Sequence, residues 1–442
     1  MVRLRTFLSY LEEFMTNKIR VVLADKYDLV VGDTFQLFYR SVIETPDPYR
    51  YSIVVRCKEG KSFPRYYEYT PTVPGQHKLT IEVIDADFTV LGSAETMLNV
   101  VVPKAPEKTI NILCIGDSLT QGGQWVSELN RRIVGEEGVP AGLGFKDAVN
   151  FLGKPTKKDI CCEGYGGWHW ESFLINKPGA MWVSYRNNIA QENQHSLWKD
   201  HNGAIWQLET LQVDYLKFNR YMDHDSPFPT EPPLVHYQNA TNTDPIYFKS
   251  CSPCGASPFF DHEKGCVDFS TYAKKNNIDT IDAVYVMLGR NGRMSQIAQT
   301  LSQKDFCKHV VGVAKQLVTK LKEAFPHVKV RILGLPGHSL NGGLGTSYGC
   351  RDSYALTSYE MDLDEAYQAW CNEDGWKDFM EYVDLAGQFD AEYNLPAKKK
   401  TVNTRSETTE VLGTNGVHPA LSGYLQIADA VYRNVVASFM SE

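Results

Sequence analysis

Apolar and polar positions alternate along much of the first hundred residues. Residues 35–39, 51–55 and 78–83 are rich in β-branched and aromatic side chains, and several of these stretches alternate with a period of two. That period is typical of β-strands, and Pro74-Gly75 is typical of a turn between two of them. Because no helical periodicity intervenes, residues 19–103 are predicted to form a small antiparallel, Ig-like β-sandwich.

The pattern changes after residues 103–108, where two prolines and three charged residues indicate a linker. Residues 110–115 and 283–288 are apolar almost throughout, which is typical of parallel strands covered on both faces, and residues 328–333 form a further predicted strand. Apolar residues recurring with a period of 3.6 predict amphipathic helices. One stripe is Phe306, Val310, Ala314, Leu317 and Leu321, and another is Tyr424, Ile427, Ala428, Val431 and Val435.

The chain is therefore predicted to have two domains: a β-sandwich accessory domain over residues 1–107 and an α/β domain over residues 108–442. The second is interrupted by residues 172–280, which show no regular pattern and are rich in Asn, His, Pro and aromatic residues. A long insertion of this kind commonly builds a lid or a wall of a substrate site. The front domain could pack or bind carbohydrate, and the packing role is favoured.

Composition and charge narrow the classes of function. Lys and Arg number 45 against 53 Asp and Glu, giving a net charge of −8, and 43% of the residues are hydrophobic. This content supports packed cores, while the acidic balance disfavours nucleic-acid binding. The short run Lys398-Lys399-Lys400 is interpreted as a solvated loop. With no apolar stretch of about 18 residues and no clear signal peptide, we expect a cytoplasmic protein that makes no membrane contact; the oligomeric state stays open.

The ten cysteines are too few for a disulfide scaffold in a chain of this size. One cluster could hold zinc, since Cys251 and Cys254 form a Cys-x-x-Cys half-site that His262 and Cys266 could complete. The spacing matches no common zinc pattern, so structural thiols are favoured. We expect neither a metal nor an organic cofactor.

Two polar motifs stand at the ends of predicted elements. Gly116-Asp117-Ser118-Leu119 directly follows the strand at 110–115, and ligands of open α/β sheets bind beyond the carboxyl ends of the strands. Ser118 is a candidate nucleophile if a base lies nearby, although it could instead simply cap a helix. His418 lies just before the C-terminal helix, and Pro419 fixes its position. The fold could bring His418 to Ser118 as its base.

Two glycine-containing turns could stabilise a negative charge. Residues 163–168 follow an apparent strand and contain Gly164, Gly166 and Gly167, while Gly289-Arg290-Asn291-Gly292 follows the strand at 283–288. A backbone N–H and an asparagine amide can both donate hydrogen bonds to a tetrahedral oxyanion. Taken separately, each segment is also an ordinary glycine turn, and Arg290 could touch substrate or form a salt bridge.

Taken together and in this order, the four blocks resemble the SGNH hydrolase superfamily, also called GDSL esterases. The resemblance covers roughly residues 109–442 and implies a three-layer, flavodoxin-like α/β domain with a parallel sheet. It also implies serine-dependent ester hydrolysis, with Ser118 as nucleophile and His418 as base. The implied oxyanion donors are the N–H groups of Ser118 and Gly167 and the side chain of Asn291.

The chain departs from the family pattern at two positions. The family usually has an Asp three residues before the histidine, where this chain has Asn415, and its third block usually ends in Asp, where this chain has Gly292. An acid that orients the imidazole contributes strongly to catalysis. Three interpretations stay open: a Ser–His dyad held by Asn415 or a backbone carbonyl, a substitute carboxylate such as Asp390 or Glu163, or a weakly active site.

Aromatic residues near the second block bear on the substrate. Trp168 and Trp170 could stack on sugar rings, or they could simply pack the insertion. The predicted β-sandwich also resembles an arrangement found in carbohydrate esterases. We therefore expect removal of short acyl groups, most simply acetyl, from a poly- or oligosaccharide. The alternatives are a non-catalytic or weakly active carbohydrate-binding protein on a hydrolase scaffold, and a lipid or thioester hydrolase.

Overall fold

The computed structural model of the chain contains both β-sheets and α-helices. The residues described are 19–174, 180–185, 197–199, 205–211, 215–220, 234–237, 246–254, 257–261, 263–291, 301–344 and 353–442. None of the helices in these ranges is long and apolar enough to cross a membrane.

The N-terminal part consists almost entirely of short strands, as its alternating pattern predicts. The elements are β1 (Arg20–Val21), β2 (Lys26–Val30), β3 (Phe35–Phe38), α1 (Tyr39–Val42), β4 (Ile43–Glu44), β5 (Ser52–Arg56), β6 (Lys61–Ser62), β7 (Tyr66–Tyr69), β8 (Gly75–Ile84) and β9 (Val90–Val101). One sheet has four strands in the order β2-β9-β8-β5, in which β2 runs parallel to β9 and the other pairs are antiparallel. A second, antiparallel sheet has three strands in the order β3-β7-β6.

The α/β part is built on a parallel sheet. Its elements are β10 (Ile110–Gly116), α2 (Ser118–Gln121), α3 (Gln124–Val134), β11 (Val149–Leu152), β12 (Lys154–Pro155), β13 (Cys161–Gly164), β22 (Ala283–Met287), α5 (Gln303–Ala324), β23 (Lys329–Leu333), α6 (Ser353–Cys371), β24 (Met380–Val383), β25 (Ala397–Thr401), β26 (Thr409–Gly413) and α7 (Leu421–Phe439). The parallel strands lie in the order β13-β10-β22-β23-β24, and β11 also pairs with β10. This is the 2-1-3-4-5 order of flavodoxin-like sheets.

The central strands are buried on both faces, which explains their nearly continuous apolar sequence. On β10, Ile112 and Cys114 belong to the core formed with α3 and α7. Leu113 and Ile115 alternate with them and are also buried, but they lie outside that core cluster. The other face of β10 is therefore covered as well, and the prediction of an α/β fold with a covered parallel sheet is confirmed.

Both predicted helical stripes lie on helices, α5 and α7. The helix α6 was not predicted. The run Lys398–Lys400 is not a loop, because it lies on β25, which pairs with β26 in an exposed antiparallel hairpin. A strand with lysines on both faces has no apolar alternation, and this is why the sequence pattern missed it.

Residues Trp168–Asp279 and Val313–Ala324 form a compact unit of their own. Six strands within it pair antiparallel in a closed order, so the expectation of an irregular insertion is wrong for its described parts. These strands are β14 (Ala180–Tyr185), β15 (Leu197–Lys199), β16 (Ile205–Leu211), β17 (Tyr215–Arg220), β18 (Leu234–Tyr237) and β19 (Ile246–Cys254), followed by β20 (Phe260–Asp261), β21 (Cys266–Val267) and α4 (Phe269–Lys275). His262, of the cysteine-rich cluster, lies outside the described residues.

The other compact unit contains the N-terminal strands together with the parallel sheet, since it includes residues up to Gly167, Thr280–Gly312 and Phe325–Glu442. The predicted boundary at residues 107 and 108 falls inside this unit. The two-domain division and the Ig-like class of the N-terminal strands remain predictions.

A buried ion cluster joins the N-terminal strands to the helices of the parallel sheet. Asp33 accepts a hydrogen bond from Arg132 on α3 at 2.6 Å and another from Arg433 on α7 at 2.7 Å. All three side chains are buried. Charges are costly to bury unless they are paired. Asp33 is the carboxylate that both arginines share, and Arg132 also pairs with Asp429.

Replacing Asp33 with alanine is expected to lower the free energy of unfolding by about 3–5 kcal/mol, because two buried guanidinium groups lose a partner. Urea denaturation at neutral pH measures this. Glu95→Ala is the matched control, since Glu95 pairs with Lys78 on the surface and its loss is expected to cost less than about 1 kcal/mol. Equal, small effects for both variants would show that the cluster does not bind the N-terminal strands to the sheet.

Candidate active site

Ser118 lies at the carboxyl end of β10, in a tight turn formed by the residues around it. Gly116 ends the strand, and a Cβ at this position would lie 2.2 Å from Thr120 Oγ1, so the turn requires glycine. Asp117 caps the short helix α2, and its side chain accepts a hydrogen bond from the Leu119 N–H at 2.9 Å. The half-buried Ser118 is thereby held at the edge of the sheet.

His418 lies beside Ser118 although the two are 300 residues apart in the chain. The distance from His418 Nε2 to Ser118 Oγ is 2.9 Å. This is within the hydrogen-bonding reach required of a nucleophile and its base. The fold thus brings together the two residues that the sequence singled out most strongly.

The electrostatic surroundings favour a neutral imidazole. Burial lowers the pKa of His418, and the positive charge of Arg290 lowers it further. A neutral imidazole can accept a proton from a hydroxyl group, whereas imidazolium cannot. His418 is therefore in the state that a base requires at neutral pH.

Asn415 shapes the loop that carries His418. Its side-chain oxygen accepts hydrogen bonds from the backbone N–H groups of Val417, at 3.0 Å, and His418, at 2.9 Å. A short polar side chain that bonds the backbone two or three residues later is typical of a rigid turn. Asn415 thus holds the backbone of residues 417 and 418 in place.

The two carboxylates considered as substitute acids have other partners. Asp390 forms a two-pronged ion pair with Arg65, with contacts of 2.8 and 3.2 Å. Glu163 accepts a hydrogen bond from Tyr165 at 2.6 Å. The three interpretations of what supports the His418 imidazole remain predictions.

Asn291 is connected to the nucleophile turn through Asp117. Its side-chain N–H donates to the Asp117 carboxylate at 2.9 Å, which fixes the plane of the amide. Burial raises the pKa of Asp117 to about 6. The sequence does not predict this contact, because Asp117 and Asn291 are 174 residues apart and belong to separate motifs. Gly292, the second departure from the family pattern, lies outside the described residues.

The second glycine segment passes directly beside Ser118. Gly164 pairs with Gly116 across adjacent parallel strands, and the Tyr165 N–H donates to the Gly116 carbonyl at 3.0 Å. A Cβ at Gly166 would lie 3.8 Å from the Cβ of Ser118. Gly167 follows with a φ of +79°, a left-handed conformation that favours glycine. Gly166 therefore lies next to Ser118, while the role of Gly167 as an oxyanion donor remains a prediction.

Trp168 and Trp170 do not present stacking surfaces. They are only 5% and 1% exposed, and Trp168 packs edge-on against Phe173 with ring centroids 4.8 Å apart. Phe173 in turn stacks on Phe259. Because both rings are buried, the expectation that they stack on sugar rings is not supported. Their burial agrees with the alternative interpretation, in which they pack the insertion.

The structure also contains a buried ion pair near Ser118 and His418, and the sequence does not predict this pair. Arg290 is 4% exposed and forms an ion pair with Glu360 on α6 at 3.0 Å. Arg290 was considered as a substrate contact or as a salt-bridged residue, and the second interpretation is correct. No sequence signal marks Glu360, because a polar position on a helix is ordinarily solvated.

The raised pKa of Asp117 predicts a specific dependence of stability on pH. The folded protein retains the Asp117 proton up to about pH 6, whereas the unfolded chain releases it near the ordinary value of 3.8. The native state therefore binds more protons in this window, and its stability falls as the pH rises through it. The free energy of unfolding of the parent, relative to Asp117→Asn, is expected to fall by up to roughly 3 kcal/mol between pH 4 and 7.

Urea denaturation at several pH values measures this difference, and Asp374→Asn, which removes a carboxylate from the surface, is the matched control. A difference between the parent and Asp117→Asn that stays level, or rises with pH, would contradict a raised Asp117 pKa.

No protein-family model and no curated protein matches the chain. Solved structures that resemble it include a family 3 carbohydrate esterase of Clostridium thermocellum, with 13% identity over 76% of this chain and 100% of that chain and a TM-score of 0.35. A carbohydrate esterase family 3 protein from Talaromyces cellulolyticus has 12% identity over 74% and 97% of the two chains and a TM-score of 0.36. A carbohydrate acetylesterase from Sinorhizobium meliloti has 14% identity over 75% and 100% and a TM-score of 0.35. Because these TM-scores lie below 0.5, the function is inferred from the site itself.

Proposed function

We propose that this protein is a serine-dependent carboxylic ester hydrolase. The observation that supports the proposal most directly is the 2.9 Å contact between Ser118 Oγ and His418 Nε2 at the carboxyl edge of the parallel sheet. A hydroxyl group paired with a half-buried, neutral imidazole is the arrangement that activates serine as a nucleophile. Ligands of sheets with this strand order bind at the same edge.

In the first half of the reaction, His418 accepts the proton of Ser118 while Oγ attacks the ester carbonyl carbon. The carbonyl electron pair moves to oxygen, and the N–H groups of Ser118 and Gly167 and the Asn291 amide donate to this oxyanion. The C–O bond to the alcohol then breaks, and imidazolium returns the proton to the departing alkoxide. The product at this stage is an acyl group bound to Ser118.

In the second half, water takes the place of the alcohol. His418 accepts a proton from water, the hydroxide attacks the acyl carbon, and Ser118 leaves with the proton that His418 returns. The role of Asp117 is to hold the Asn291 amide, so that its donor direction is set before substrate binds. The role of Asn415 is to hold the loop of His418 through two backbone hydrogen bonds.

For the substrate we propose short acyl esters, with O-acetyl groups on an oligo- or polysaccharide as the first class to test. The support for this class is the resemblance of the four sequence blocks to SGNH hydrolases, together with the predicted N-terminal β-sandwich, which resembles an arrangement found in carbohydrate esterases. Since Trp168 and Trp170 are buried, sugar recognition would fall to other residues around Ser118. A lipid or thioester hydrolase and a non-catalytic carbohydrate-binding protein are the competing functions.

Ser118→Ala and His418→Ala are each expected to reduce hydrolysis of a short-chain aryl acetate by at least about 10³-fold, because the nucleophile or its base is lost. Initial rates measure this, and Ser93→Ala, at an exposed serine of β9, is the matched control. A parent protein that binds acetylated glycans without turnover would instead indicate a binding protein. Acetate release from an acetylated oligosaccharide, compared with hydrolysis of long-chain aryl esters, separates the two classes of esterase.

Asn415→Asp tests whether a carboxylate at this position limits catalysis. An aspartate can accept the same two backbone hydrogen bonds, and its charge stabilises imidazolium. It is therefore expected to raise the pKa of His418 and to move the acid limb of the pH profile of kcat/KM to higher pH. The rate above that limb is expected to rise several-fold.

Asn415→Ala is the companion variant, since it removes the acceptor without adding a charge. It is expected to lower kcat without moving the acid limb. If Asn415→Asp leaves both the limb and the rate unchanged, the side chain at 415 does not act on His418.

A further inference from the structure

Arg290 and Glu360 form a buried ion pair close to the loop that carries His418. The side chains are 4% and 7% exposed, and both Nε and Nη2 of Arg290 lie 3.0 Å from Glu360 Oε1. Replacing a buried ion pair with apolar residues is often neutral or stabilising, so such a pair contributes little to stability by itself. Its remaining contacts indicate what it does instead.

Arg290 connects the end of β22 to the loop of His418. Its Nη1 donates to the carbonyl of Val417, the residue before His418, at 3.3 Å, and its Nη2 donates to the carbonyl of Pro336. The rigid guanidinium plane thus joins three segments of chain with one side chain. A lysine could supply the charge but not this set of directions.

The partner of Arg290 supports the same loop from a second side. Glu360 Oε2 lies 2.8 Å from His338 Nδ1, and the next residue, Ser339, donates its backbone N–H to the Gly416 carbonyl at 2.9 Å. The carbonyl groups of residues 416 and 417 are therefore both held by one connected group of residues. The loop is also tightly packed against Gly343, because a Cβ at this position would lie 2.9 Å from the backbone of residues 415 and 416.

We propose that Arg290 and Glu360 are positioning residues for His418, and that their opposite charges set the pH range in which His418 can act as a base. They would do so in the absence of the acid that the sequence resemblance places at position 415. The inference rests on the proposed function, because it assigns a role to residues behind its base. Neither residue touches the reacting atoms.

The charges near His418 explain how the pair would act. Burial raises the pKa of Glu360, but the charges of Arg290 and His338 outweigh burial and hold it below its ordinary value, so Glu360 is ionised. Arg290 opposes a positive charge on His418, and Glu360 moderates that effect. Among the described residues, three further titratable groups lie near this pair. They are His338, in the loop next to residue 416, Asp364, whose pKa is raised by burial and by carboxylates that include Glu360, and Asp117, on which the charge of Arg290 acts.

Removing the two charges one at a time is expected to move the acid limb of kcat/KM in opposite directions. In Arg290→Gln the opposing cation is lost, so the acid limb of kcat/KM is expected to move to higher pH, with a roughly 3–10-fold change in the proton affinity of His418. In Glu360→Gln the cation is uncompensated, so the limb is expected to move to lower pH. In the double variant the limb is expected to return close to that of the parent.

Arg290→Lys separates position from charge. It retains the cation but loses the fork that reaches the Val417 carbonyl, so kcat is expected to fall about tenfold while the limb stays in place. Arg331→Gln is the matched control, because Arg331 is also buried and paired, with Glu381, but belongs to β23. It is expected to leave the limb unchanged.

Titration of the His418 imidazole by NMR, with selectively labelled histidine and His418→Gln for assignment, measures the same shifts without turnover. If the parent turns over no ester, the proposed function fails, yet opposite shifts in the NMR titration would still support the positioning pair. Limbs and NMR titrations that do not move, or that move in one direction for both single variants, would overturn the inference. Should one single variant fail to fold, the other single variant and Arg290→Lys decide the question. A limb displaced in the predicted direction, together with a lower kcat of Arg290→Lys, supports the proposal, and an unmoved limb with a kcat equal to that of the parent contradicts it.

Discussion

The candidate site depends on one constraint: β10 is hydrogen-bonded to parallel strands on both sides. The register places Gly116 beside Gly164 of β13 and beside Met287 of β22. Three strands therefore end at one level of the sheet, and the chain leaves all three at the same edge. The nucleophile turn, the glycine segment and the Gly289–Asn291 segment become neighbours because of this register and for no reason local to their own sequences.

Buried charge distinguishes this site from a simple serine–histidine pair. Among the described residues, no cation contacts Asp117 directly, and its two oxygens accept hydrogen bonds from the Leu119 N–H and the Asn291 amide. Arg290, by contrast, brings a full positive charge close to the base and is balanced by Glu360 on α6. Both arrangements lower stability, since each buried group loses hydration on folding, but each fixes the geometry of the residues that it contacts.

The N-terminal strands take part in the same folded unit as the site. Asp33 lies just after β2, yet its ion partners lie on α3 and α7, the two helices that pack on one face of the sheet. α7 begins three residues after His418. The N-terminal strands are thus joined by an ion pair to α7, the helix that follows His418. This contact gives them a structural role, whether or not they also bind a ligand.

The sequence by itself determined the elements whose signals are local. Apolar runs identified β10 and β22, and 3.6-residue stripes identified α5 and α7. The resemblance of the four motif blocks to SGNH hydrolases implied acyl-transfer chemistry at Ser118, His418 and Asn291. Period and residue type are properties of neighbouring positions, so they can be read without the fold. Only the tertiary structure decided the pairings of Asp117 with Asn291 and of Arg290 with Glu360. It also supplied the contact between His418 and Ser118 that the sequence resemblance implied. It also decided that Trp168 and Trp170 are buried, because the burial of an aromatic side chain depends on what packs against it. These contacts join residues up to 300 positions apart, and no periodicity or composition encodes such distances.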